Sequence, residues 1–134
     1  MVFFHKTAAC LSPLGMESRL IKNNQITASS QADANHAAYQ GRLNFLARGG
    51  KQGGWSASTN DLSQWIQVDL LTYTKVTGVS TQGRNAEDQR VIEYKLKYSD
   101  DGVTFYFYKE PGQISAKVYL CCSSHLLLLH CDKT

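Results

Sequence analysis

Five soft ligands crowd one end of this chain. Cys121, Cys122, His125, His130 and Cys131 fall within eleven residues, and thiolate with imidazole is the donor set of a zinc site. Their spacing, C-C-x2-H-x4-H-C, fits no familiar finger, and adjacent cysteines are awkward as paired ligands, so no metal residue is assigned. Asp33, Asp61, Glu87 and Asp88 carry the oxygen donors that calcium takes. They are scattered without the spacing of a ligand loop, so calcium is only an alternative to the reading of no cofactor. Ser, His and Asp are all present, yet there is no G-x-S-x-G elbow, H-E-x-x-H pair, P-loop or dinucleotide fingerprint. The adjacent carboxylates of "SDDG" (99–102) suggest acid–base chemistry, but a hairpin turn needs the same residues. The chain reads as non-catalytic.

Any remaining chemistry must be recognition, and strands must position it. In "QWIQVDL" (64–70), Ile66, Val68 and Leu70 alternate with Trp65, Gln67 and Asp69, the pattern of a strand with one buried face. Further strands are expected at 25–29, 75–82, 91–98 and 103–108. Asp101-Gly102 is read as a tight turn joining the last two, with Tyr94, Leu96, Tyr98, Val103, Phe105 and Phe107 on one apolar face. The stretch 30–61 is rich in Ala, Asn, Gly and Ser and reads as loops. No amphipathic helix is evident, so the fold class is all-β, an antiparallel sandwich or barrel.

Composition fits one domain. At 134 residues, 43% hydrophobic and 19% charged, the chain can form a core. Its net charge of +3 is spread along the sequence without a basic block, so nucleic acid is not an expected partner. "MVFF" is too short for a signal-peptide core and "HLLLLH" is far below the ~20 apolar residues of a membrane span. Neither a signal peptide nor a transmembrane segment is read in this chain.

Six segments occur in the order and spacing of one family: "LGMESRLIKNNQITASSQ" (14–31), "GRLNF" (41–45), "GGW" (53–55), "QWIQVDL" (64–70), "KVTGVSTQGR" (75–84) and "YKLKYSDDGVTF" (94–105). The chain resembles the discoidin domain, the coagulation factor 5/8 type C domain, with wording similar to the neuropilin and contactin-associated members. The resemblance implies a jelly-roll-like, galactose-binding-like β-sandwich of extracellular proteins, non-catalytic, whose loops at one end bind ligand. It covers 10–120 as the domain, leaving 1–9 as an extension and 121–134 as an unrelated Cys- and Leu-rich tail. Beyond Leu120 the family's further strands and closing cysteine are not matched. A sandwich incomplete at its C-terminus is therefore expected, with uncovered apolar faces and sheet edges open to self-association. Cys10 occupies the position of the family's first cysteine. In an oxidising compartment it can pair with Cys121, Cys122 or Cys131, and the sequence does not choose among the pairings.

The resemblance brings three loops to one end. Loop one (31–40) offers His36 for hydrogen bonds and Tyr39 for stacking, against the bland reading that both merely cap a polar loop. Its tip is Ala, Asp, Asn and His, whereas membrane-binding family members carry bulky apolar residues there, so membrane insertion is not expected. Loop two (51–61) offers Asn60 and Asp61, while Trp55 is read as a packing residue. Loop three (83–90) offers Arg84, Glu87 and Asp88, a mixed cluster suited to charged or polyhydroxyl ligands or simply a solvated turn. The expected function is an extracellular recognition or adhesion module for a cell-surface glycan or protein. The alternatives are a targeting module of a larger carbohydrate-active enzyme or receptor, and a non-functional fragment.

Overall fold

The computed structural model describes residues 12–120 and, as backbone, 129–132. Every strand pair is antiparallel. The strands are β1 (Ser12–Pro13), β2 (Ile26–Ala28), β3 (Ile66–Val68), β4 (Lys75–Val79), β5 (Glu93–Lys95), β6 (Lys97–Tyr98), β7 (Tyr106–Phe107), β8 (Val118–Leu120) and β9 (Leu129–Asp132). Three short 3-10 turns, Asn23–Gln25, Ala34–His36 and Ala38–Gly41, punctuate them. The last two lie within the stretch expected to be loops. The sheets are β1-β9-β4, β2-β3, β5-β8 and β6-β7. Part of the C-terminal tail thus enters a sheet, because the backbone of β9 pairs with both β1 and β4.

The core forms where the alternation of 64–70 requires it. Ile26 pairs with Val68 and Ala28 with Ile66. Ile66, Val68 and Leu70 pack against the buried cluster of Met16, Ile21 and Ile26, while Trp65 and Asp69 remain exposed on the other side. The strand is shorter than expected for a local reason. The Asp69 carboxylate accepts the Leu71 N–H at 2.8 Å, and Leu71 takes a left-handed φ of 62°, so the chain turns away.

The expected strand 91–98 is divided at Leu96. Glu93–Lys95 pairs with β8, stacking Tyr94 on Tyr119 at 5.2 Å, whereas Lys97–Tyr98 pairs with β7. Val91 and Ile92 lie outside the strand and are exposed. The tight turn is also corrected: residues 99–105 form a wider connection. Gly102 does take the positive φ expected of it, 71°, but Asp101 organises the loop by accepting from Val103 N (2.8 Å), Thr104 N (2.7 Å) and the Ser99 hydroxyl (2.9 Å). The wider loop shifts the register. Tyr98 faces Tyr106, and Phe107 faces Lys97, whose ammonium lies 4.5 Å from its ring centroid. Tyr98 and Phe107 therefore do not form the single alternating face expected. Uncovered apolar surface is present all the same, for Val103 is 83% exposed and Ile114 89%.

These three hydrogen bonds hold the Asp101 carboxyl far below the usual carboxylate range, the Thr104 and Val103 N–H groups contributing most. A depressed folded pKa stabilises the loop fully above the unfolded value of ~3.9. The contribution declines below that pH and vanishes once the folded group is protonated. The amide proton shifts of Val103 and Thr104 should therefore stay constant as an NMR titration passes pH ~4 and move only well below it. A midpoint at the ordinary carboxylate pKa would show that the loop does not form in solution.

Candidate functional site

Loop one is built on Asp33. Its carboxylate accepts the Asn35 N–H at 2.7 Å and lies 2.8 Å from His36 Nδ1, capping the Ala34–His36 turn. The His36 ring and the Asn35 N–H together pull the Asp33 carboxyl below its ordinary range. The following turn aims Tyr39 inward, where its half-buried ring packs on the core and meets Phe45 edge-on at 6.1 Å. The Lys51 ammonium lies 5.8 Å from the same ring. Tyr39 is thus partly committed to packing. Trp55 is half-buried and donates its indole N–H to Ser30 O at 2.8 Å, a packing role as expected.

A chain of amides ties the three loops together. Gln40, with no exposed surface, accepts the Gln52 N–H at 3.1 Å and donates to Ala34 O at 3.4 Å. Gln52 N also reaches Asn35 O at 3.0 Å. The Gln52 side chain in turn accepts from Arg84 Nη2 at 2.5 Å, while Arg84 Nη1 donates to Gln89 at 2.7 Å. Asn85 N donates to Gly53 O at 3.0 Å, and the Asn85 carbonyl oxygen on its side chain accepts Ala47 N at 3.0 Å. Arg84, expected to face ligand, mainly clamps loop two to loop three. Glu87 and Asp88 are exposed, and Asp88 pairs with Arg90 at 3.0 Å.

Asp61 joins the assembly differently. It accepts from Thr59 Oγ1 (2.8 Å), Ser63 N (2.7 Å) and Gln64 Nε2 (3.0 Å), and these donors, the Thr59 hydroxyl first, lower its carboxyl pKa. Gln64 then accepts from the Ser29 and Ser30 hydroxyls at 2.7 and 2.6 Å. Asp61 is therefore linked to the end of β2, at the root of loop one, and Asn60 beside it is exposed. Loop one, Gln52–Gly53 and Arg84–Asn85 are brought together directly, whereas Asn60 and Asp61 are attached through Gln64.

Sequence reasoning missed Gln40, Gln52 and Asn85. A glutamine in a polar loop carries no sign that it will be buried. One signal was legible: the Gly53-Gly54 pair marks a close approach of backbones, and a Cβ on Gly53 would lie 2.7 Å from Asn85 O. Among the described residues no three His, Cys, Asp or Glu side chains gather as a metal site. The zinc reading falls on Cys121, Cys122, His125, His130 and Cys131, whose side chains lie outside the described residues, as does Cys10 with its pairing. No helix among the described residues is long and apolar enough to cross a membrane.

The strand pairs are antiparallel and the fold class is all-β, with the galactose-binding-like sandwich of solved discoidin structures as its counterpart. Residues 25–120 match the F5/8 type C domain, and the chain belongs to that family. It is 39% identical to bovine (Bos taurus) lactadherin over 115 residues, covering 82% of this chain and 27% of the relative. It is 43% identical to the human (Homo sapiens) EGF-like repeat and discoidin I-like domain-containing protein 3 over 119 residues, covering 84% and 24%. The solved structure of recombinant discoidin II of Dictyostelium discoideum aligns with a TM-score of 0.58 at 25% identity, covering 80% of this chain and 48% of that one. The chain thus spans about a quarter of the length of these two relatives.

Proposed function

We propose that this domain is a non-catalytic extracellular recognition module that binds cell-surface glycans or proteins through loops one to three. The observation that carries the reading is the chain of side-chain hydrogen bonds from buried Gln40 through Gln52 to Arg84, which holds three polar loops as one pre-organised rim. Groups left outward on or beside it, Asn35, Asn60, Glu87 and Asp88, donate and accept hydrogen bonds but offer no acyl-chain wedge. That chemistry suits hydroxyl-rich ligands. His36, half-buried beside Asp33, supplies a further polar edge.

Each neutral hydrogen bond contributes about 1 kcal/mol, so single-site affinity is modest and several copies are needed for firm attachment. The test is a glycan array run beside phosphatidylserine vesicles with wild type and an Asn60→Ala, Asp88→Ala variant, which spares the clamp. Glycan binding that falls about tenfold in the variant is expected. Unaltered glycan binding, or tight vesicle binding without glycan binding, would remove the loops as the site.

A further inference from the structure

Four cationic side chains of this chain line one cavity. A cavity of about 290 Å³ lies between the segments 17–19 and 42–51, lined by Arg19, Arg42, Arg48 and Lys51 with a single acid, Glu17. Four cations against one carboxylate leave a local excess of three positive charges. Among the described residues none of the four is paired with a carboxylate.

The backbone sets two of these residues opposite one another. Gly49 and Gly50 both take positive φ, 58° and 79°, the requirement of a two-residue hairpin turn. Arg48 and Lys51 pair directly across it, with Lys51 N donating to Arg48 O at 3.0 Å. Like charges directly opposite on a ladder are destabilising, unless an anion lies between them. Arg42 adds a second unpaid charge. It is only 5% exposed and donates to two neutral acceptors, Met16 O at 2.9 Å and Asn23 Oδ1 at 2.8 Å. Its Nε is buried without a partner. Burial, with Arg19 nearby, lowers its pKa, the mark of a cation lacking a counter-charge.

Two strained positions line the same cavity. Arg19 and Asn44 hold left-handed φ of 64° and 51°, conformations that cost energy for residues other than glycine and cluster where a site is held in shape. Asn44 also donates to Glu17 at 2.8 Å, positioning the one acid.

We infer that this cavity binds the sulfate groups of an acidic glycan chain. Guanidinium forks match tetrahedral oxyanions, and the Glu17 carboxylate accepts from sugar hydroxyls, a use it would not have against a bare anion. A lipid headgroup is the less suited source. The hairpin tip is two glycines between charged residues, and the exposed apolar side chains in or next to the lining are two leucines, Leu20 (71%) and Leu46 (54%), neither of them on the hairpin. The inference shares the glycan class of the proposed function and places part of its recognition at a site separate from Asn60 and Asp88.

The experiment measures binding of heparin, of fully desulfated heparin and of phosphatidylserine vesicles to wild type, to an Arg48→Ala, Lys51→Ala variant, to Arg48→Gln alone and to the Asn60→Ala, Asp88→Ala variant. Wild type is expected to bind heparin at least tenfold more tightly than its desulfated form, with affinity that falls as salt rises. The double hairpin variant should lose tenfold or more, and Arg48→Gln should lose several-fold. Equal binding of both heparins, unchanged affinity in the hairpin variants, or vesicle binding that those variants abolish while heparin does not bind would overturn the inference. Failure of the loop reading looks different: the Asn60→Ala, Asp88→Ala variant would then bind neutral glycans as wild type does, whatever heparin does at the hairpin.

Discussion

Replacing Ile26 by Asp is expected to abolish cooperative unfolding of this domain. Ile26 is 4% exposed, pairs with Val68 across β2 and β3, and belongs to the buried cluster with Met16 and Ile21. The side chains of that cluster and those packed on it are hydrophobic, so an ionised carboxylate there would be desolvated. Such a substitution costs more than about 4 kcal/mol, against a total stability of about 5–15 kcal/mol for a domain of ordinary size. This core is small, with four buried hydrophobic residues among those described, so the margin lies at the low end. The control is Thr27→Asp, one residue along on the exposed face of the same strand. Circular dichroism melts should show a transition for Thr27→Asp and none for Ile26→Asp. Equal melting of the two would mean that β2 does not face a core at Ile26.

Gly53→Ala is expected to loosen the loop assembly without unfolding the sandwich. A Cβ at Gly53 would lie 2.7 Å from Asn85 O and 2.9 Å from Asn85 Cα. Backbone cannot rotate away as a side chain can, so loops two and three must separate. Overpacking of this kind costs about 1–3 kcal/mol, which for a domain of this size lowers Tm by roughly 4–12 °C. The bonds from Asn85 N to Gly53 O and from Arg84 to Gln52 lie next to the displaced atoms. Glycan affinity should therefore fall further than the loss of any one contact explains, because the rim is no longer pre-organised. Gly54→Ala is the matched control, since its nearest atoms, on Arg84, lie at 3.6 Å, ordinary contact. The pair of variants is compared by melting and by the same glycan array. A Gly53→Ala protein with wild-type Tm and affinity would show that loops two and three are not held together as described.

The uncovered aromatic and aliphatic surface of the later strands follows from how little packs on them. β5 with β8 and β6 with β7 each form a pair of strands, and residues such as Val103 and Ile114 meet solvent. That these strands would carry apolar residues was legible in the alternation of Tyr94, Leu96 and Tyr98. Which rings would face each other was not, because register depended on the width of one turn. The alternation about Asp101-Gly102 supports a two-residue turn as readily as the loop 99–105. Three hydrogen bonds to one carboxylate decide between them, and pairing Tyr98 with Tyr106 follows.

What this sequence determined by itself is what a period of two and a set of motifs can encode. The alternation of Ile66, Val68 and Leu70 marked the face that meets Ile26, and the six motif segments specified an F5/8 type C domain. Only the tertiary structure decided the rest. Gln40 and Arg42 have the composition of a solvated loop, yet they are almost wholly buried, because their partners at Gln52, Met16 and Asn23 arrive from distant parts of the chain. Arg84 was legible as a cation near ligand and became a clamp for the same reason. A side chain's periodic position reports which way it faces, but a polar group's role depends on which acceptor folding brings within about 3 Å of it, and no local pattern records that distance.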